Sequence, residues 1–167
     1  MRRRPAWAGT ERARESAGQG LPEFALVLPI LVLLIFGLLD LGRAIYAANA
    51  VANAARMGAR TAIVNQNPLD VSTRAAGQAT ALGIDPAADC TSTTGVCVDF
   101  QNSSQTAACS TLFGPDLKSC VAVVTVKYTF TAFTPIIGTI LGPIPITSTS
   151  IQALESQCTG AGQCPIP

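Results

Sequence analysis

The chain has 167 residues and a formal net charge of +1, so it has room for one membrane helix and one small domain, and its overall charge does not indicate nucleic-acid binding. Only 13% of its residues are charged, against about 25% in an average soluble domain, and the apolar residues are concentrated near the N-terminus. The sequence contains no histidine, which excludes Ser-His-Asp and Cys-His catalysis and histidine-ligated metal sites.

The chain begins with a basic segment, residues 1–18, that holds five arginines against two glutamates. The apolar segment, residues 24–39, is uncharged and mostly aliphatic. At about 1.5 Å per residue a helix over it spans roughly 24 Å, and a start at Leu21 brings it closer to a hydrocarbon core of about 30 Å. We therefore predict one transmembrane helix. Because basic residues stay in the cytoplasm, we expect the N-terminus inside and the C-terminus outside.

Two other interpretations of the apolar segment stay open. A secretory signal peptide would need small residues around a cleavage site after the apolar run, and residues 37–44 supply that pattern poorly. A plain, uncleaved single-pass anchor fits the same hydropathy.

Beyond the apolar segment the helical pattern continues to about Ile63, which predicts one helix over residues 21–64, on the order of 65 Å long. Its second half would project outward from the membrane. Small residues recur there at spacings of three and four, a heptad-like pattern that lets another backbone approach closely. We expect this alanine seam to pack against the chain's own domain and against neighbouring subunits. The seam consists of Leu41, Ile45, Ala48, Ala52, Ala55, Ala59 and Ala62.

Two charged residues follow the apolar segment directly. Asp40 and Arg43 are three residues apart, so a helix places them within reach of each other. We expect a structural ion pair at the outer surface of the membrane.

The outer domain, residues 65–167, begins with turn signals. Asn67 followed by Pro68 predicts an N-cap and a first helical turn. The short helix that they begin is expected to reach about Leu82 and to end at Gly83.

Three later segments predict strands. Residues 95–100 give the weakest signal, whereas residues 121–131 and 146–154 alternate with a period of two and contain many β-branched residues. Residues 133–145 contain three prolines and two glycines, which predicts a long connection. The fold class is therefore expected to be α+β, with two to four antiparallel strands packed on the protruding helix and stapled by disulfides.

Six cysteines lie beyond the apolar segment, and none precedes it. An even number on one side of a membrane segment is typical of disulfides in an oxidising compartment. A metal cluster is the alternative, but the usual Cys-x-x-Cys pairs are absent from the sequence. Sequence proximity favours three pairs, which are Cys90 with Cys97, Cys109 with Cys120, and Cys158 with Cys164.

One carboxylate, Glu23, lies at the entrance to the apolar segment, where an ionisable residue is costly and commonly functional. A carboxylate in a first helical turn is favourable by about 0.3–1 kcal/mol without any partner. This favourable interaction explains a lone Glu23, but it does not explain why Gly18 lies five residues earlier, at the end of the basic segment. A glycine, four residues and a glutamate before an apolar helix resemble the processing site of a type IV prepilin.

The segment from Gly18 to Ala62 resembles the TadE-like (TadE/TadG) family of tight-adherence pilus proteins. The resemblance rests on Gly-Leu-Pro-Glu-Phe-Ala-Leu-Val-Leu-Pro at residues 20–29, Leu-Asp-Leu-Gly-Arg-Ala at 39–44 and Asn-Ala-Ala-Arg-Met-Gly-Ala-Arg at 53–60. Residues 121–130 and 146–155 resemble the family more loosely.

The resemblance implies a minor pilin or pseudopilin that acts structurally in Flp/Tad pili. Its partners would be other pilins and the Tad assembly machinery, in the cytoplasmic membrane and in the pilus itself. A prepilin peptidase is a further implied partner. It would cut after Gly18, leave Gln19 as the new N-terminus, and make Glu23 and Phe24 the fifth and sixth residues. We expect no cofactor and no metal.

Two other functions compete with this one. A membrane-anchored module could use the disulfide domain to bind a surface ligand outside the cell. A membrane-bound enzyme is the third possibility, but its candidate carboxylates are scattered through loops without a partner base, so we expect no catalysis. These carboxylates are Asp70, Asp85, Asp89, Asp99 and Asp116.

Overall fold

The computed structural model describes residues 20–88, 90–109 and 120–155. A long helix packs against a three-stranded antiparallel sheet, with a second helix beside them, which confirms the predicted α+β class. The elements in chain order are α1 (Gly20–Val64), α2 (Pro68–Gly77), a 3-10 turn (Thr80–Leu82), β1 (Gly95–Asn102), β2 (Cys120–Phe130), α3 (Pro135–Leu141) and β3 (Ile144–Ala153).

Helix α1 is continuous over 45 residues and passes through Pro29 without interruption. At about 1.5 Å per residue it is roughly 68 Å long. It is long enough and apolar enough to cross a membrane, and its apolar part is almost entirely uncovered by the rest of the described chain. The predicted single long helix is therefore present.

The outer half of α1 forms the centre of the domain, because β2, β3 and α2 all pack against it. Its buried positions are nearly all alanine or glycine, so the sheet can approach the helix backbone. Gly58 is a point of close approach. A methyl group there would lie 2.9 Å from Val124 Cγ1 and 3.0 Å from Ala75 Cβ. The buried positions after Asp40 are Ala47, Ala50, Val51, Ala54, Ala55, Gly58, Ala59 and Ala62.

The alanine seam coincides with this packing face only in its last part. Leu41, Ile45 and Ala48 are exposed, and the seam becomes buried only from Ala55 onward. The reason is the position of α2, which follows α1 after three residues and folds back on its last turns. The sheet covers one face of α1 along the domain, whereas α2 covers a second face only at the far end.

The sheet has the order β1-β2-β3 with both pairs antiparallel. Val124 stands opposite Val98 on one side and Ser150 on the other, which sets the register. The predicted alternation of β2 is present, since Ala122, Val124 and Val126 are fully buried and their neighbours are only partly so. Strand β2 therefore supplies the sheet's main contribution to the core.

The first helix of the outer domain begins as expected and ends early. The Asn67 side chain accepts a hydrogen bond from the Leu69 amide, and Pro68 occupies the first turn. The α-helix stops at Gly77, and residues 80–82 form a separate 3-10 turn before Gly83, which has a φ of 62°. The predicted single helix to Leu82 is thus divided in two.

The predicted long connection between β2 and β3 contains helix α3. Pro135 fits the first turn of a helix, and Gly142, with a φ of 63°, follows its last residue. Strand β1 is also longer than predicted, because it pairs with β2 up to Asn102.

Two disulfides join the cysteine pairs that sequence proximity favours. Cys90 is bonded to Cys97 and Cys109 to Cys120, with Cα–Cα distances of 4.9 and 6.0 Å. They tie the segment before β1 to β1, and the segment after β1 to the start of β2. The predicted pair Cys158–Cys164 lies outside the described residues.

Candidate functional site

The predicted processing site is only partly visible. Gly18 and Gln19 lie outside the described residues, whereas Glu23 stands in the first turn of α1 and Phe24 follows it. The side chains of both are exposed. The chain thus presents the carboxylate at the start of the apolar part of α1, and cleavage after Gly18 stays a prediction.

The junction, which we define as Phe36, Asp40, Arg43, Phe133 and Thr134, lies at the other end of the apolar segment. Arg43 Nη1 is 3.4 Å from Asp40 Oδ1 across one turn of α1. The Arg43 side chain is about half exposed, while Asp40 is only 5% exposed. A buried carboxylate needs more than one half-exposed cation, and the structure supplies further partners.

Those partners are two backbone amides from the far side of the sequence. Phe133 N donates to Asp40 Oδ1 and Thr134 N donates to Asp40 Oδ2, both at 2.9 Å. The two hydrogen bonds, first that from Phe133, lower the pKa of Asp40, and Arg43 lowers it further against the opposing effect of burial. Asp40 therefore stays ionised and holds the connection that leads into α3 against α1.

Aromatic side chains enclose this ionic contact. The ring of Phe133 lies 6.4 Å from that of Phe36, which belongs to the apolar segment. The Arg43 guanidinium lies 5.7 Å from the centre of the Phe130 ring at the end of β2, within the range of a cation–π contact. A cleft of about 290 Å³ lies between α1 and the connection that leads into α3. It is lined by Phe36, Leu39, Asp40, Arg43 and Phe133.

Sequence reasoning identified Asp40 and Arg43 but missed Phe133 and Thr134. The contact spans 93 and 94 residues of sequence, and main-chain donors carry no side-chain signature. The one available signal was the position of Asp40, a lone acid directly after the apolar segment.

A second surface lies beside the junction on α1. Leu41, Ile45 and Tyr46 are each more than half exposed, and Ala48 is exposed as well. Leu41, Ile45 and Ala48 lie on one face of α1 and form an outer stripe that is mostly exposed in the described part of the chain. Tyr46 lies on another face and lines a pocket with Leu82, Tyr128 and Phe130. The first part of the alanine seam is thus available for another chain, while Ala52 is partly covered and Ala55 and Ala59 are used within the domain.

The three described members of the scattered carboxylates have local contacts or lie at the surface. Asp70 Oδ2 accepts from Asn65 Nδ2 at 3.0 Å, and Asp85 Oδ1 accepts from the Ala87 amide at 2.9 Å. Asp99 is exposed on β1, within 4.8 Å of the sulfur atoms of Cys90 and Cys97, but those sulfurs are bonded to each other. Asp89 and Asp116 lie outside the described residues.

Residues 18–60 match the family model described as TadE-like protein. The match covers about a quarter of the chain, from the predicted cleavage site to the outer half of α1, and it confirms the resemblance over that segment. No curated protein and no solved structure matches the chain. The outer domain lies beyond the match.

Proposed function

We propose that this chain is a minor pilin or pseudopilin of a Flp/Tad-type pilus system, with a structural role in filament assembly or adhesion. The observation that carries the proposal is the TadE-like match over residues 18–60. That segment contains Glu23, the apolar part of α1 and the whole outer stripe. The partners would be other pilins or pseudopilins and the Tad assembly machinery.

In this proposal α1 crosses the cytoplasmic membrane once, with the N-terminus inside and the sheet outside. The basic residues 1–18 favour that orientation, and the disulfides fit an oxidising outer compartment. The apolar part of α1 then contacts lipid or the helices of neighbouring subunits. The outer stripe stands just above it, where the small residue Ala48 permits close helix packing.

Glu23 would supply the specific contact between subunits. Cleavage after Gly18 creates a free amine at Gln19, only four residues from Glu23 in sequence. Within a bundle of such helices, the Glu23 carboxylate would pair with the amine of a neighbouring copy, because an unpaired charge in an apolar bundle is costly.

The substitution Glu23→Gln tests this contact. We expect the variant to insert into the membrane at the normal level and to be lost from sheared pili, because the amide is uncharged and cannot neutralise an amine. Glu155→Gln is the matched control, since Glu155 is an exposed carboxylate at the end of the outer sheet. Normal incorporation of Glu23→Gln into pili would refute the role of the carboxylate.

Processing is tested separately by the N-terminal sequence of the membrane-extracted protein. We expect it to begin at Gln19, and Gly18→Leu should retain the leader because the peptidase would require a small residue before the cut. If every molecule begins at Met1, cleavage is removed from the proposal while the structural role stands on the incorporation assay.

The main alternative is a single-pass membrane-anchored binding module outside the cytoplasm. The two differ in whether the outer stripe touches other subunits. A cysteine at Ala48, which is exposed, should crosslink to a neighbouring chain in an assembling cell, whereas a cysteine at the buried Ala47 should not. Equal and weak crosslinking at both positions would favour the binding module. In either case we propose a protein without catalytic activity.

A further inference from the structure

The connection between β2 and β3 is apolar and exposed. No charged residue occurs between Lys127 and Glu155. Phe133 lies just before α3 and is 73% exposed. Ile140 and Leu141 lie within α3 and are 76% and 60% exposed. Large apolar side chains grouped on one short element indicate a surface that is covered by something apolar.

The position of this connection along α1 is fixed by the junction. Asp40 holds the amides of Phe133 and Thr134, so α3 begins at the level where the apolar segment ends. Phe133 also reaches one turn further toward the membrane, where its ring contacts Phe36. Strand β2 runs toward this level and β3 runs away from it, which makes α3 the membrane-facing end of the sheet.

We infer that α3, together with Phe133, inserts into the outer leaflet of the bilayer that α1 crosses. The occupant of the exposed apolar surface is lipid, and α3 is a second, peripheral membrane contact of the domain. The inference rests on the membrane placement of α1 that the proposed function includes. It goes beyond that function because it concerns how the outer domain is seated on the bilayer.

Continuity with the apolar segment identifies the occupant. Phe36 lies inside the part of α1 that is long and apolar enough to cross a membrane, and Phe133 is its direct neighbour. Acyl chains that surround Phe36 therefore also reach Phe133. Interfacial helices bury side chains such as Phe and Leu at the boundary between headgroups and acyl chains, and Phe133, Ile140 and Leu141 are side chains of this kind.

The junction also restrains the orientation of the outer domain relative to the membrane. A domain attached through one helix could rotate and tilt about it. A second contact beside the helix, held by Asp40 and by the ring contact, fixes which face of the domain turns toward the membrane. The outer stripe of α1 is then presented laterally, in the plane where another membrane-anchored chain would meet it.

Tryptophan fluorescence in the full-length protein tests the inference. In a Trp7→Phe background, which removes the native tryptophan, a single tryptophan replaces Ile140, Leu31 or Leu69. Leu31 reports on the apolar part of α1. Leu69 is the matched control, because it is also exposed and apolar but lies in α2, which packs against the end of α1 that is remote from Leu39. Each variant is reconstituted in vesicles of phosphatidylethanolamine and phosphatidylglycerol with bromine atoms on the acyl chains.

We expect Ile140→Trp and Leu31→Trp to be quenched strongly by the brominated lipid, with blue-shifted emission, and Leu69→Trp to be unaffected. If Leu31→Trp is quenched but Ile140→Trp is not, the inference is overturned while the membrane span of α1 stands. A blue-shifted but unquenched Ile140→Trp would place α3 against protein and also overturn it. If neither is quenched, the membrane placement fails and the inference fails with it.

Discussion

The two halves of α1 have the same backbone conformation and opposite surroundings. Residues 20–39 carry large aliphatic side chains and are almost all exposed, whereas the buried positions between residues 47 and 62 are mostly alanine. The first half needs an apolar environment that the described chain does not provide, and the second half is enclosed by the chain's own sheet and α2. One helix is thus built for two kinds of neighbour.

Side-chain size is what separates the halves. Lipid chains are fluid and can adapt to large, irregular side chains, so leucine and isoleucine are suitable there. A sheet is rigid, and it can come close to a helix only where the helix surface is smooth. Substitutions that exchange these properties should therefore affect one half and spare the other.

The largest effect is expected for Gly58→Leu. Since even a methyl group would meet Val124 and Ala75 at 3.0 Å or less, a leucine must push the sheet or α2 away from the helix. We expect the outer domain to lose about 3 kcal/mol of unfolding free energy or more, as in severe overpacking of a core. Hydrogen exchange of the amides of residues 47–62 in lipid nanodiscs measures this loss as faster exchange.

Gly42→Leu is the matched control for Gly58→Leu. Gly42 lies in the same helix, but nothing stands within 4 Å of a Cβ atom placed there. Its replacement should leave the protection of residues 47–62 unchanged or raise it slightly, because glycine is a poor helix former. An equal loss of protection in both variants would show that helix propensity, and not the approach of the sheet, controls the outer half.

An intermediate effect is expected from removal of a disulfide. The double variant Cys109→Ala with Cys120→Ala frees the segment after β1 from the start of β2. A disulfide that closes a loop of this size typically contributes about 2–3 kcal/mol, so the outer domain should unfold at a lower denaturant concentration. The protease accessibility of residues 24–39 in lipid nanodiscs should not change, because neither described disulfide lies in the apolar half of α1.

The smallest effect is expected from Asp40→Asn, because it is local. The amide group offers one acceptor oxygen where the carboxylate offers two, so one of the amides of Phe133 and Thr134 loses its acceptor. We expect faster hydrogen exchange at these two amides, with the rest of the sheet unchanged. Asp85→Asn is the control, because its contact lies within a separate loop.

The same contact predicts a pH dependence. The folded protein lowers the pKa of Asp40 below the ordinary value, so the carboxylate contributes stability that is complete above the ordinary pKa of an aspartate, roughly 4, and is lost as the pH falls through the lowered value. The amide chemical shifts of Phe133 and Thr134 should therefore be constant from neutral to mildly acidic pH and move below it. A midpoint above the ordinary value would contradict the assigned hydrogen bonds.

Local patterns were sufficient for several elements. The period-two alternation located β2 and β3, the Asn67–Pro68 pair located the start of α2, and the unbroken helical pattern located α1 to within a residue at each end. Each of these signals depends on residues close together in the sequence, or on a repeat that only one secondary structure satisfies.

The failures concern contacts between distant parts of the chain. The alanine seam marked small residues, but the sequence does not show which of them the domain covers. Ala55, Ala59 and Ala62 are buried by it, whereas Ala48 is exposed. Helix α3 was hidden in a connection rich in proline and glycine, where turn signals dominate. The partners of Asp40 were hidden because backbone amides are the same at every residue other than proline.

By itself the sequence determined the length of the apolar segment, the position of all six cysteines after it, and the alternation of the strands. Each of these depends on neighbours along the chain. Only the tertiary structure decided which face of α1 the sheet covers, and that an aspartate at the outer end of the apolar segment holds the turn between two strands. Those choices depend on shape and on the free energy of packing surfaces that lie far apart in the sequence, so no local pattern contains them.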